Sequence, residues 1–433
     1  MEMLENEQQK RIRKTMTYRY VVFCTIALGY FFVFFHRVST AVMAKDLAAD
    51  FAIDPAAVGL FGSMYFYAYA MAQLPVGVLV DKWGIRNTSS LFILLAGFAT
   101  FLFGMAHSFS VALTARFFVG LGVAFMYVPA LRMLADWFRK DEYSTYSGIL
   151  VGVGNLGALA ASAPLALLIV AIQWRNTMVL IGGVTIIIAI LLFIFVRNKP
   201  EDINGASVEE IEKAPPRIVV KVRTVDAIKV LFSKYNFWTI LIFFFIWIGT
   251  LFAFQGLWAG PYLTNVFQLS QTQASNILML IAVGAIVGCP LSGYLSDKVV
   301  KSPKKVILVG MSCYIVVWLI FVLFTGTLSL NMIRILMFLF GLFGYSQVVV
   351  WANLKENVDI VMLGTASGIV NFFGFTGAAI YQQVLGLIIA KVTGETAAST
   401  VLGFRISFVF CLISLVAGLA FYITQKEKPR ETI

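Results

Sequence analysis

The chain has 433 residues, of which 60% are hydrophobic and only 13% charged, with a formal net charge of +11. Soluble domains carry roughly 25% charged residues, so this composition excludes an ordinary soluble protein. The four cysteines, Cys24, Cys289, Cys313 and Cys411, lie inside apolar stretches at spacings that suit neither a zinc site nor a disulfide framework. No metal and no cofactor is expected.

In chain order, twelve apolar stretches run over 18–43, 56–80, 88–106, 109–135, 143–171, 174–196, 236–263, 271–296, 304–325, 328–352, 360–391 and 402–424, numbered here as spans 1 to 12. A membrane crossing needs roughly 20 mostly apolar residues. A backbone in hydrocarbon must satisfy its own hydrogen bonds, so these stretches are helices. The expected fold is an all-α membrane protein of twelve transmembrane helices. Span 1 is too long for a cleaved signal and lacks a small-residue cleavage site.

The basic residues explain themselves through topology. Lys10, Arg11, Arg13, Lys14 and Arg19 lead into span 1, Lys82 and Arg86 follow span 2, and Arg139 and Lys140 follow span 4. Eight more lie between spans 6 and 7, and others follow spans 8, 10 and 12. The opposite loops hold only Lys45, Arg175, Lys391 and Arg405. Basic residues on alternate loops mark the cytoplasmic side, which places both termini there. The positive charge is therefore not a nucleic-acid footprint, although it attracts anionic lipid head groups. Short tails without a sorting extension suggest a bacterial inner membrane, and a monomer in the lipid bilayer is expected.

Between spans 6 and 7 the pattern breaks. Residues 197–235 contain Pro200, Pro215, Pro216 and mixed charges, reading as a cytoplasmic linker with a short amphipathic helix near 224–233. The expected organisation is a tail at 1–17, a six-helix bundle at 18–196, the linker at 197–235, a second six-helix bundle at 236–424 and a tail at 425–433. The halves repeat. Gly77 and Asp81 close span 2, and Gly293 and Asp297 close span 8, an offset of 216 residues. Arg116 in span 4 and Arg334 in span 10 stand 218 apart. Duplicated, pseudo-symmetric halves suit a rocking carrier with its site between the halves near mid-membrane.

Two stretches carry a family resemblance. Tyr69-Ala-Met-Ala-Gln73-Leu-Pro75-Val-Gly77-Val-Leu-Val-Asp81-Lys82-Trp83-Gly84-Ile85-Arg86 resembles the signature loop between helices 2 and 3 of the major facilitator superfamily. Arg116-Phe-Phe-Val-Gly120-Leu-Gly122 resembles its helix 4 motif, with Trp137-Phe138 at the helix end. The resemblance implies a secondary transporter working by alternating access. Physically, Gly77 and Gly84 allow close helix approach and a tight turn, and Asp81 can hold a cation, for which Arg86 offers itself. These groups would latch one conformation from the basic face.

The candidate binding residues follow from a charge imbalance. Span 1 carries His36 and Arg37, span 4 Arg116 and Arg132, and span 10 Arg334, while no span interior contains Asp or Glu. Charges inside a membrane are costly and usually functional. A buried guanidinium asks for an anion, which an arriving substrate supplies, and its fork matches carboxylate and phosphate oxygens. Arg37, with Tyr30 seven residues earlier on the same helix face, is the leading candidate. Its span, Tyr30-Phe-Phe-Val-Phe-Phe-His36-Arg37, resembles helix 1 of the organic-anion symporter and sugar-phosphate antiporter branches, where an arginine here binds the substrate anion. The competing possibility is that Arg37 snorkels to the interface.

His36 stands where the symporter branch has an acidic residue, and Tyr127 stands where proton-coupled relatives carry glutamate. Both departures weaken a proton-symport assignment, so a coupling proton, a counter-anion and uniport remain open. Arg116 and Arg334 are expected in structural or gating roles, and Arg132 is expected to pair with Asp136 one turn on. Tyr65, Tyr69, Gln255, Trp258 and Asn371 complete the candidate set. An enzyme is disfavoured by the lack of carboxylate pairs, metal clusters or an activated nucleophile within the spans. Alternatives to an anion carrier are a transporter of a zwitterionic or neutral solute (a peptide, amino acid or drug-like compound) and a transporter-like sensor.

Overall fold

The structure is a computed structural model that describes residues 2–212, 224–394 and 396–426. Among these residues every regular element is a helix. Ten stretches are long and apolar enough to cross a membrane. One of them, Asp141–Phe195, has 55 residues, about 80 Å at 1.5 Å per residue, which exceeds a bilayer core of about 30 Å. Its backbone turns at Gln173, where φ is 67°, and this separates span 5 from span 6. The 18-residue helix Pro55–Ala72 stands where span 2 was expected, but it is not among these ten stretches.

Span 1 is longer than expected. The helix runs Glu2–Asp50, so the segment read as a tail at 1–17 continues it. Its Glu, Gln, Lys and Arg residues are good helix formers. The start of the linker gives this extension something to hold. Thr15 donates to the Ala206 carbonyl at 2.8 Å, and Arg11 donates to the Gly205 carbonyl at 3.2 Å and pairs with Glu210. The linker also contains the helix Thr224–Ser233, where a short helix was expected, while residues 213–223 lie outside the described residues.

The chain folds into two compact units that cut across the half-and-half division read from the sequence. One comprises Met1–Arg37, Met71–Ala158 and Ile172–Val219; the other comprises Val38–Ala70, Leu159–Ala171 and Val220–Ile433. In the first unit, a Cβ on Gly157 of span 5 would overlap the Phe31 carbonyl, so spans 1 and 5 touch backbone to backbone. Gly148 and Gly152, in the same glycine run, face open space.

The second unit gathers the ends of spans 1, 2 and 5 that lie away from the basic loops onto the C-terminal helices. A Cβ on Gly260 would overlap the Ala41 carbonyl, and one on Gly62 would press on the Gln382 amide. Tyr67 donates to Gln383 at 2.9 Å across the same seam. Beneath it, Phe254 packs among Tyr262, Trp318, Phe321, Phe340 and Phe408, with ring centroids 5.0–6.1 Å away. Such rings bury large apolar areas in tilted and edge-on contacts.

Candidate substrate-binding and gating site

In the first unit the candidate groups lie along span 1. Spacings of three and four residues bring side chains onto one helix face. Tyr30, Phe34 and Arg37 follow that rule: the Tyr30 ring meets Phe34 edge-on at 5.4 Å, and the Arg37 guanidinium sits 4.5 Å from the Phe34 centroid. Tyr127 of span 4 stacks on Tyr30 at 5.7 Å. Arg37 is 5% exposed, so its side chain is shielded by protein rather than reaching out along the helix surface. Arginine at the centre of a membrane helix costs roughly 2.5–3.5 kcal/mol on insertion scales. One cation–π contact returns about 0.5–2 kcal/mol.

His36, 2% exposed, turns its ring toward Phe32 and Phe35, at 6.0 and 5.7 Å. Its backbone carbonyl accepts from Arg116 Nη2 at 3.0 Å. Arg116 is thus a buried strut between spans 4 and 1. Its sequence repeat, Arg334, is exposed at the start of the helix Leu330–Gly344 and bonds Asn331 at 3.0 Å. The sequence repeat therefore does not extend to the surroundings of these two arginines.

The signature loop is built differently from the expected Asp81–Arg86 pair. Gly84 takes φ 77°, ψ 171°, a backbone region essentially reserved for glycine, and this ends span 2 and starts span 3. Beyond the turn, Arg86 stacks 4.2 Å over Phe193 and donates to the Phe193 carbonyl at 2.7 Å, while its backbone N–H donates to Asn198 Oδ1 at 3.0 Å. The cation beside Asp81 is Arg132, at 3.7 Å. Arg132 also bonds Asp136 at 2.9 Å, the i,i+4 pair that its spacing predicts. A Cβ at Gly77 or Gly293 would meet open space, so neither glycine serves a close helix contact here. Asp297 lies in the π-helical turn Leu295–Val299; its side chain is outside the described residues.

In the second unit the candidates surround an irregular stretch of span 7. The helix Tyr235–Ala253 passes into a π-helical turn, Phe254–Trp258, before Ala259–Val266. Such turns break the hydrogen-bond ladder and frequently mark functional sites. Gln255, 6% exposed, accepts from the Tyr345 hydroxyl at 3.0 Å. The Trp258 indole donates to the Gln382 carbonyl at 2.9 Å, and the Gln382 amide donates to the Phe252 carbonyl at 2.9 Å. Tyr65 stacks with Tyr69 at 6.0 Å, and Tyr69 meets Phe375 at 4.3 Å. Asn371 is half-buried on the helix Leu363–Val392.

The structure thus gathers Tyr30 and Arg37 around Phe34, and Tyr65 and Tyr69 beside Phe375. Trp258 uses its N–H on the wall of its own unit. Phe34 and Tyr345 were absent from the sequence reading. Phe34 was findable, standing four residues after Tyr30 and three before Arg37. Tyr345 had no such signal, being 90 residues from Gln255.

Apolar crossing helices, one of them opened by a π-helical turn and another carrying a shielded guanidinium, define a membrane carrier for solutes. The chain belongs to the Major Facilitator Superfamily, whose family model matches residues 26–382. It is similar to a probable hexose phosphate transport protein of Chlamydia trachomatis, 24% identical over 409 residues that cover 87% of this chain and 86% of the relative. A probable L-galactonate transporter of Escherichia coli is 23% identical over 419 residues, covering 91% and 86%. Among solved structures, a bacterial homologue of the human lysosomal transporter Spinster, in an inward-facing, occupied conformation, superposes with a TM-score of 0.73 at 19% identity. That match covers 95% of this chain and 99% of the other, and it bears on the fold alone.

Proposed function

We propose that this protein is a secondary transporter that carries a small organic anion, a carboxylate or a phosphorylated metabolite, by alternating access. The observation that carries the reading is Arg37, 5% exposed within a span, in a chain whose span interiors contain no Asp or Glu. The names of the relatives, transporters of hexose phosphate and L-galactonate, point the same way. Tyr30, His36, Tyr65, Tyr69, Gln255, Trp258 and Asn371 are the other cargo-facing candidates.

In this reading the basic loops and both termini face the cytoplasm of a bacterial inner membrane, and the bundles 18–196 and 236–424 are the moving halves of a monomer. The seam around Gly260 and Ala41 is then the outer gate, and it is closed. Asp81, Arg132 and Asp136, with Gly77, Arg86, Arg116, Gly293, Asp297 and Arg334, form the gating set. The driving partner is a proton or a counter-anion.

The test is binding of a panel (galacturonate, galactonate, glucose 6-phosphate and sulfoacetate) to wild type and to Arg37→Ala, followed by counterflow in proteoliposomes. Loss of bidentate charge-assisted bonds weakens binding at least about tenfold in the variant. Equal affinities would remove Arg37 from the site, and binding without counterflow would make the protein a sensor.

A further inference from the structure

We propose that Tyr345 is a positioning residue that fixes the Gln255 amide as a hydrogen-bond donor and so gives the second unit its preference for negatively charged cargo. The inference rests on the reading above that Gln255 faces the cargo.

An amide side chain is ambivalent: one edge accepts and the other donates two N–H groups. Left alone, it turns either edge to a ligand. Here the Tyr345 hydroxyl donates to Gln255 Oε1 at 3.0 Å, so the accepting edge is engaged by protein. The NH2 edge is the one left to point elsewhere. Both residues are buried, at 5% and 6% exposure, where a misdirected polar edge is costly.

Both also occupy irregular backbone. Gln255 lies in the π-helical turn of span 7, and Tyr345 opens the 3-10 turn Tyr345–Val349 that interrupts span 10. Two separate departures from regular helix meet at one hydrogen bond. Counting residues at 1.5 Å each from the ends Val266 and Leu330, Gln255 lies about 16 Å and Tyr345 about 22 Å along its helix, so both stand well inside a core of about 30 Å.

The chain phenol O–H, amide oxygen, amide N–H and anion runs in one direction, so each bond polarises the next. An anion on the NH2 edge strengthens the phenol bond. A cation or a pure donor would have to turn the amide over, trading this bond for one in which the phenol oxygen accepts and losing the polarisation along the chain. Tyr345 therefore shapes selectivity through Gln255 without touching cargo itself.

The experiment measures the ratio of dissociation constants for galacturonate and its uncharged amide, galacturonamide, using full-length protein in nanodiscs. Wild type, Tyr345→Phe, Gln255→Glu, Arg37→Ala and the double variant Tyr345→Phe/Gln255→Lys are compared. Tyr345→Phe is expected to reduce the preference for the anion about fivefold to tenfold. Gln255→Glu, similar in shape but lacking the N–H donors, is expected to abolish it. The double variant, whose ammonium needs no orienting, restores the preference. That rescue separates orientation from general damage to the fold. If Tyr345→Phe keeps the wild-type ratio while Arg37→Ala loses anion binding, the inference fails and the anion reading stands. If wild type binds no anion, both fall. Should Tyr345→Phe not fold, an unchanged ratio in Gln255→Glu overturns the inference by itself.

Discussion

Gln271 reaches from the first turn of span 8 to Asp46 at the end of span 1: its Nε2 lies 2.9 Å from Asp46 Oδ2 and 2.9 Å from the Val42 carbonyl. One amide group thus spans a carboxylate and a backbone oxygen one turn apart. The Ser270–Gln273 capping box holds the helix start that carries it. With the Gly260–Ala41 contact, this ties the far end of span 1 to spans 7 and 8.

Cutting that tie loosens the closed seam. A hydrogen bond to a charged group contributes about 1.5–3 kcal/mol when buried, and Asp46 is only half-buried, so about 1 kcal/mol is expected here. Gln271→Leu should then shift the closed-to-open ratio about fivefold toward open. Labelling of a cysteine introduced at Ala44, 1% exposed in this structure, reads the shift. Unchanged labelling with a membrane-impermeant maleimide would show that the bond does not hold the gate.

Gly260→Val goes further, because its side chain would occupy the space of the Ala41 carbonyl. The backbone of span 1 cannot give way as a flexible side chain would. The Ala44→Cys reporter should become fully reactive in this background, and counterflow of any transported anion should fall at least about tenfold. Full transport in Gly260→Val would mean that spans 1 and 7 need not approach this closely.

Replacing Gly84 acts on the signature loop through two separable causes. Alanine at φ 77°, ψ 171° is strained by about 1–3 kcal/mol, and its Cβ also meets the Asn198 side chain. Gly84→Ala should lower thermal stability in detergent, and adding Asn198→Ala should recover only part of the loss. Complete recovery would assign the whole effect to crowding.

Arg19 and Glu142 form a two-pronged ion pair, at 2.7 and 3.1 Å, with Arg19 nearly buried (4% side-chain exposure) and Glu142 at 26%. Removing one partner strands the other, at a cost of about 3 kcal/mol for buried pairs. Arg19→Met and Glu142→Gln should each lower the melting temperature more than the double replacement Arg19→Met/Glu142→Leu does. A double variant as unstable as the sum of the singles would mean that the two groups act independently.

Much of this architecture was legible before any coordinates. The alternation of apolar runs with basic loops follows from the bilayer, which demands about 20 apolar residues per crossing and resists moving Lys and Arg across. For the same reason Arg37 stood out, since a charge within a span is conspicuous whatever it touches. Spacing along one helix also predicted the Arg132–Asp136 pair, because neighbours three or four residues apart must meet.

What the sequence left open depends on contacts between distant segments. Asp81 meets Arg132 rather than Arg86 because the glycine turn at residue 84 sends Arg86 toward Phe193, and spacing along a chain does not record where a turn points it. Arg116 and Arg334 share a repeat, yet only Arg116 is buried, because burial is set by the neighbours that pack there. The division into compact units, and the bond from Tyr345 to Gln255, are likewise decided by packing. Membrane physics acts on each helix alone and can be read one span at a time; which helix faces which is a property of the folded bundle.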